Sequence, residues 1–171
     1  MSTPASKGFL EVASTGNVAV IRIHGLGNMD SAMILRELAG VWAGKYPEVL
    51  LDFSACSGVD STFMGTLLCL TEEMNEFGGH MRLIIVTPEC LKLFSMLGIV
   101  AFLALAGKHA LPELIYERLD TVATGAMRRL DIIRHAHEHL VSADEENKQR
   151  FGDFLAAVTR EIEQINGGSN G

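Results

Sequence analysis

The segment with the clearest potential for chemistry covers residues 51–65, LDFSACSGVDSTFMG. An apolar run that predicts a buried strand leads into a polar loop, and Asp60, Ser61 and Thr62 then stand at the predicted start of a helix. The first amides of a helix have no partner within it and its dipole is positive there, so a phosphate on a hydroxyl at this place would be stabilised. The residues alone leave two interpretations: a phosphoacceptor, or a residue that only caps the helix.

Other clusters of reactive side chains are less informative. His135 and His139 are four residues apart with Glu138 beside them, but no third metal ligand is identifiable and we interpret them as part of a solvated helix face. The cysteines lack zinc-ligand spacing and are interpreted as buried or half-exposed thiols. They are Cys56, Cys69 and Cys90. No nucleophile, base and orienting group stand out together, so the sequence predicts neither catalysis nor a cofactor or metal site.

The elements that must position residues 60–62 alternate between strands and helices. Two short β runs form a predicted hairpin, and Asp30 or Ser31 is the expected N-cap of the first helix. The predicted order is β β α β α β α β, in which helical crossovers make neighbouring strands parallel and place helices against a mixed sheet. The strands are predicted at residues 9–13, 17–23, 49–53, 81–86 and 99–105, and the loop 54–59 lies before the second helix.

The last third of the chain shows only helical periodicity. Apolar residues recur at intervals of three and four from Pro112 to Ile133, and a second stripe runs from Phe151 to Ile165. Residues 142–145 resemble a capping box, so we expect a helical hairpin followed by a disordered tail. We therefore divide the chain into an α/β domain, residues 1–111, and a helical extension, residues 112–171. The extension either covers the end of the domain or mediates dimerisation.

Charge and hydropathy narrow the class of partner. The chain has 171 residues and a formal net charge of −7, with no basic run longer than two residues, so nucleic acid and anionic membranes are poor partners. No apolar stretch is long and unbroken enough to span a bilayer, and residues 1–14 do not resemble a signal peptide. We expect a cytoplasmic protein in reducing surroundings.

Three motifs occur in a recognisable order. Residues 27–30, GNMD, resemble Gly-x-Leu-Asp; residues 51–54, LDFS, resemble Leu-Asp-hydrophobic-Ser; and residues 60–65, DSTFMG, resemble Asp-Ser-(Ser/Thr)-Gly-hydrophobic-Gly. On these motifs, residues 9–105 resemble a STAS domain, the family of sulfate transporters and anti-sigma factor antagonists, in its free-standing antagonist form. Phe63 departs from the pattern, because the family usually has glycine there.

The resemblance implies a bacterial signalling protein that regulates transcription by reversible protein binding. In the family, a serine kinase that is also the anti-sigma factor phosphorylates the first serine of the last motif, here Ser61, and a metal-dependent phosphatase reverses the reaction. The unmodified surface would bind the kinase and displace a sigma factor, and a phosphate of about −1.5 to −2 charge would abolish binding. The implied partner-binding residues are Asp30, Asp60, Thr62, Phe63 and Met64.

Two alternatives stay open on the sequence. The chain could be a STAS scaffold or transport-associated subunit in which Phe63 marks the loss of the switch; otherwise Phe63 is a binding anchor at the mouth of the site. A small hydrolase or transferase would instead need Asp60, Ser61 and a histidine within hydrogen-bonding distance. Thr62 is a second possible acceptor, although a first-turn structural role suits it better.

Overall fold

A six-stranded sheet forms the centre of the chain in the computed structural model, which describes residues 7–107, 111–119 and 125–168. The strands are β1 (Phe9–Thr15), β2 (Val18–Gly27), β3 (Glu48–Asp52), β4 (Cys56–Val59), β5 (His80–Ile84) and β6 (Glu117–Leu119). The helices are α1 (Met29–Trp42), α2 (Ser61–Glu76), α3 (Pro88–Met96), α4 (Ala126–Ala143) and α5 (Glu145–Gly168). The predicted mixed sheet flanked by helices, with a helical C-terminal hairpin, is confirmed.

The sheet combines an antiparallel hairpin with parallel crossovers. Its order is β5-β3-β2-β1-β6, and β4 pairs with the end of β2. β1 and β2 are antiparallel and turn at Gly16, whose φ of 54° suits a residue without a side chain. β2, β3 and β5 run parallel because α1 and α2 connect them. The carboxyl ends of β2 and β4 lead directly into α1 and α2, which brings the starts of these two helices together.

Two expected features of the α/β region are wrong in detail. The N-cap of α1 is Asn28, whose side chain accepts a hydrogen bond from the amide of Ser31, so neither Asp30 nor Ser31 holds that position. The predicted loop 54–59 contains β4, a four-residue strand. Its residues carry no strand periodicity, and pairing with β2 orders them.

The predicted last strand at residues 99–105 does not form. The chain makes a 3-10 turn at Val100–Phe102, and only Leu105 bridges to Leu83 of β5. Ile99 and Leu103 are buried, so the apolar run packs into the core without adopting a strand. A run of this length is compatible with either structure, and burial alone explains its composition.

The helix predicted from Pro112 is also wrong, because residues 117–119 form the edge strand β6. Leu119 pairs with Leu10 and Glu117 with Val12 of β1, so the sheet extends beyond the proposed boundary at residue 111. Ile115, expected on a buried helical stripe, is 96% exposed. Residues 120–124, also within the predicted stripe, lie outside the described residues. The unpaired edge of β1 favoured a strand where local periodicity favoured a helix.

The last two helices form the expected hairpin with a different cap. Asp144 follows α4, and its carboxylate accepts a hydrogen bond of 2.8 Å from the amide of Glu146 at the start of α5. Ser142, the predicted cap, is still within α4. The predicted tail begins within α5, which continues to Gly168, and residues 169–171 lie outside the described residues.

The hairpin packs on the α/β domain through α2. Leu140 of α4 belongs to the main hydrophobic core, and Phe151 of α5 packs against it. Asn147 of α5 is fully buried and donates to the carbonyl of Leu97, 2.8 Å away, after α3. Among the described residues, no helix combines the length and apolar character that crossing a membrane requires.

Candidate functional site

Asp60 joins the elements at the start of α2. As its N-cap, Asp60 accepts a hydrogen bond of 2.8 Å from the amide of Phe63 through Oδ1. Oδ2 accepts a second one of 3.1 Å from the amide of Met29 at the start of α1, and the Asp60 amide donates to the carbonyl of Gly27. Burial raises the pKa of Asp60, although the amides of Phe63 and Met29 oppose the shift. One carboxylate therefore fixes the relative position of both helix starts.

Ser61 is the first residue of α2 and is half-buried. Its Oγ lies 3.1 Å from Nε2 of His137, which belongs to α4. The other ring nitrogen, Nδ1, is 2.8 Å from the carbonyl oxygen of Ile133. A carbonyl can only accept, so Nδ1 carries the proton, Nε2 accepts, and the Ser61 hydroxyl donates to it. The hydroxyl expected to face a partner is paired within the chain.

His137 is held in an apolar setting as a neutral ring. Its side chain is 2% exposed and lies edge-on against the rings of Phe151 and Phe154, at centroid distances of 5.1 and 4.8 Å. Burial lowers the pKa of His137, and the nearby negative charge of Asp60 opposes that shift only in part. A neutral imidazole is the form that can accept the Ser61 proton.

Close contact between backbones holds α4 against α2. A Cβ added to Gly65 would overlap the carbonyl oxygen of Ala136, so glycine is required for this distance between the helices. Arg129 of α4 forms an ion pair with Asp30 at 3.8 Å. Arg128 pairs with Glu37 of α1 at 3.1 Å. The extension therefore covers the surface formed by the starts of α1 and α2.

A second polar cluster lies further along the same pair of helices. Nε2 of His139 is 2.9 Å from the carboxylate of Glu72, and Nδ1 is 3.1 Å from Sγ of Cys69. His135 is not part of this cluster through its ring, because Nδ1 binds the carbonyl of Asp131 in its own helix. Across the described ranges, no three His, Cys, Asp or Glu side chains form a group that could hold a metal ion. His139 thus links α4 to α2.

The predicted partner-binding residues differ in accessibility. Asp30 and Asp60 are half-buried, whereas Thr62 and Met64 are buried. Phe63 is 0% exposed and packs edge-on against Phe53, with ring centroids 6.5 Å apart. The expectation of Phe63 as an anchor at the mouth of the site is therefore corrected: its ring fills the core beneath α2.

Sequence reasoning missed His137, although a signal was present. His137 lies four residues after Ile133 and three before Leu140, so it occupies the apolar face of α4. A lone polar residue on such a face needs a buried partner, and Ser61 supplies it. Its partner lies 76 positions away in sequence, which no local pattern reveals.

The Ser61 and His137 pair does not form a catalytic triad. In a triad a carboxylate accepts from the second ring nitrogen and orients the base. Here the carbonyl of Ile133 takes that position, and both oxygens of Asp60 bind backbone amides. The geometry thus supplies an acceptor for the Ser61 proton, and a backbone carbonyl rather than a carboxylate orients the ring.

A family of known proteins matches the region that contains this site. A sequence model of the STAS domain matches residues 10–120. The chain belongs to the STAS domain family. No curated protein matches the chain at a significant level.

Solved structures of other proteins share the fold of this region. An anti-sigma factor antagonist from Mycobacterium paratuberculosis is 21% identical with a TM-score of 0.51, covering 61% of this chain and 89% of its own. The unphosphorylated anti-sigma factor antagonist SpoIIAA is 20% identical with a TM-score of 0.50, covering 57% and 87%. The protein TM1081 from Thermotoga maritima is 13% identical with a TM-score of 0.52, covering 56% and 78%. At these identities the similarity establishes the fold of the STAS unit.

Proposed function

We propose that this STAS protein is an anti-sigma factor antagonist-like regulator that binds a serine kinase of the anti-sigma factor type and is switched by phosphorylation at Ser61. One observation carries the proposal: Ser61 is the first residue of α2, directly after the N-cap Asp60, and is half-buried. That position stabilises a phosphate and lets its charge act on a surface shared by α1 and α2.

The switch follows from the charges around Ser61. The Asp60 carboxylate is adjacent, and Asp30 lies at the start of the neighbouring helix. A phosphate adds about −1.5 to −2 charge at neutral pH and raises the cost of bringing another surface onto these carboxylates. Binding of the kinase would then be lost on modification and regained when a phosphatase removes the phosphate.

The helical extension adds a step to this cycle. The Ser61 hydroxyl and the His137 ring are separated by one hydrogen bond of 3.1 Å, which leaves no space for a phosphoryl group. α4 must therefore move away from the start of α2 before a kinase can reach Ser61. Asp30 and Asp60 are available to a partner in part, and Thr62 and Met64 would become available only in this open form. Phe63 stays in the core against Phe53 in either form.

The test is phosphorylation of the full chain. The purified protein would be incubated with ATP and each serine kinase of the anti-sigma factor type from the same genome, and its mass measured. We expect the mass to rise by one phosphate, the modified peptide to contain Ser61, and Ser61→Ala to abolish the gain. The matched control is Ser57→Ala, because Ser57 is an exposed serine in the strand just before the site. Absence of a Ser61-dependent gain with every kinase would contradict the switch and favour a scaffold.

The extension also has a proposed role in assembly. Phe154 and Ile165 of α5 are 47% and 44% exposed. Exposed apolar side chains on one helix favour self-association, because a second copy can bury them. We infer that a second copy binds there in the cytoplasm. Light scattering would show a dimer for the wild-type chain and a monomer for Ile165→Glu; a monomeric wild-type chain would contradict this role.

A further inference from the structure

Two of the cysteines lie side by side although they are far apart in sequence. Cys56 is the first residue of β4 and Cys90 the third of α3, and their Sγ atoms are 3.6 Å apart. Both are free thiols, 4% and 0% exposed. The third cysteine, Cys69 of α2, contacts His139 instead. The chain thus contains one dithiol pair and one separate thiol.

The distance between the two sulfurs suits a disulfide bond. A disulfide holds its sulfurs about 2.05 Å apart, so Cys56 and Cys90 need to approach by about 1.5 Å. Rotation about the Cα–Cβ bonds of both residues can supply a movement of this size without unfolding either element. β4 and α3 already pack directly against each other. Cys56 and Cys90 therefore face each other at a distance from which a disulfide bond can form.

The two thiols lie in different surroundings. The amide of Cys90 donates to the hydroxyl of Thr87, the N-cap of α3. Cys90 also lies in the first turn of α3, where the helix dipole favours a thiolate. Cys56 donates to the carbonyl of Gly58 at 3.3 Å, and contact with Cys90 together with burial raises its pKa. The position of Cys90 at the start of α3 favours it as the nucleophile of the pair, with Cys56 as the resolving thiol.

We propose that Cys56 and Cys90 form an oxidation site that hydrogen peroxide converts into an intrachain disulfide. The Cys90 thiolate attacks one peroxide oxygen, the O–O bond breaks, and the leaving hydroxide takes a proton to become water. The sulfur of Cys56 then attacks the Cys90 sulfenic acid, the S–S bond forms, the S–O bond breaks, and a second water leaves with the Cys56 proton. Two thiols lose two electrons and one peroxide gains them.

The disulfide would act on the segment that leads to the candidate site. β4 ends one residue before Asp60, whose amide and carboxylate bind residues of the β2–α1 connection. A covalent bond from Cys56 to α3 restricts movement of that segment. The chemistry needs no partner protein, and it holds whether or not Ser61 is phosphorylated.

The test uses the full-length folded chain. The reduced protein would be exposed to hydrogen peroxide without denaturant and the peroxide removed. The chain would then be unfolded so that N-ethylmaleimide blocks every free thiol, and the intact mass and peptide map would be measured. We expect a loss of about 2 Da before alkylation, a cross-linked peptide pair containing Cys56 and Cys90, and one remaining alkylatable thiol, Cys69. Dithiothreitol should restore the original mass.

Single substitutions separate this pair from the lone thiol. Cys69→Ser is the matched control and should form the disulfide at the wild-type rate, whereas Cys56→Ser and Cys90→Ser should abolish it. The wild-type peptide map decides the question even if one of these variants fails to fold. A cross-link that appears only in urea, a cross-link to Cys69, or no cross-link in the folded protein would each overturn the proposal.

Discussion

The hydroxyl of Ser61 at the start of α2 donates to Nε2 of His137 in α4, over a distance of 3.1 Å. The family motif marks Ser61, whereas His137 belongs to the helical extension that follows the matched STAS region. The extension is thus part of the site and not only a cover for the end of the domain. Any process that acts on Ser61 also acts on the contact between α2 and α4.

The first prediction concerns pH. Burial holds the pKa of His137 below its value in the unfolded chain, so between these two values the unfolded chain binds more protons. The contribution of His137 to the free energy of unfolding is therefore complete above about pH 6.5 and is lost as the pH falls towards the pKa in the folded protein. Urea unfolding of the wild type and His137→Gln should show a larger difference at about pH 7.5 than at about pH 5.5.

The glutamine variant is the control for the pH experiment, because it keeps polar atoms and does not titrate. Asp60 is the charged group that faces the ring, and its carboxylate opposes the shift. Burial raises the pKa of Asp60, and Asp60 is present in both proteins, so the difference reports His137 together with its interaction with Asp60. A difference that stays constant between the two pH values would contradict a buried neutral His137.

The second prediction concerns the contact between Gly65 and Ala136. In Gly65→Ala the added methyl overlaps the carbonyl oxygen of Ala136, so α4 must move outwards. We expect a loss of about 1–3 kcal/mol in the free energy of unfolding. Hydrogen exchange should show faster exchange in α4, and kinase-dependent phosphorylation of Ser61 should become faster as the hydroxyl is uncovered.

Gly152→Ala provides the matched control for a glycine within a helix. No atom lies within 4 Å of an added Cβ at Gly152 in α5, so the substitution should stabilise the chain by about 0.5–1 kcal/mol through helix propensity. Unchanged exchange in α4 of the Gly65→Ala variant would show that the helices tolerate the methyl group without separating.

Local patterns predicted the elements that surround Ser61 and failed at the sheet edges. The hairpin, the helix that Asp60 caps and the parallel crossovers follow from turn residues, capping and apolar runs. The three- and four-residue spacing of apolar residues from position 112 predicts a helix over residues 117–119, and the edge of β1 explains the strand β6 found there. Long-range pairing is the information that a single sequence lacks.

In the candidate site, too, local sequence patterns identify some residues, and only the packing of the folded chain reveals the others. The motif identified Asp60 and Ser61, and capping chemistry accounts for the first of them. The burial of Phe63 and the partnership of His137 depend on how α2 packs against Phe53 and α4. An aromatic residue in place of the usual glycine predicts a change at the surface, whereas α2 turns the Phe63 ring towards Phe53 in the core.

The third prediction concerns the position where the family usually has glycine. Phe63 is fully buried against Phe53, so Phe63→Ala should leave a cavity and lower the free energy of unfolding by about 3–5 kcal/mol. Phe77, at the end of α2, is 68% exposed and is the matched control. Phe77→Ala should change stability by less than about 0.5 kcal/mol. If urea unfolding showed that Phe63→Ala and Phe77→Ala lower the free energy of unfolding equally, the burial of Phe63 would be contradicted.

The fourth prediction compares two helix caps. Asp60 binds the amides of Phe63 and Met29, whereas Thr87 accepts from the single amide of Cys90 at the start of α3. Loss of one capping contact costs about 1 kcal/mol, so we expect about 1 kcal/mol for Thr87→Ala and about 2 kcal/mol for Asp60→Ala. Asp60→Asn should lose less stability than Asp60→Ala, because the amide oxygen of asparagine can still accept from the Phe63 amide. Its NH₂ group would face the Met29 amide, which is also a donor, so that second contact is lost.

The order of these variants in urea unfolding tests whether Asp60 joins α1 to α2. Because the Met29 contact connects the two helix starts, Asp60→Ala should also speed hydrogen exchange at the first turn of α1, an effect that Thr87→Ala should lack. If both alanine variants lose the same stability and the start of α1 exchanges as in the wild type, Asp60 caps α2 alone. The surface proposed for the partner would then be held together by α4 through its ion pair from Arg129 to Asp30.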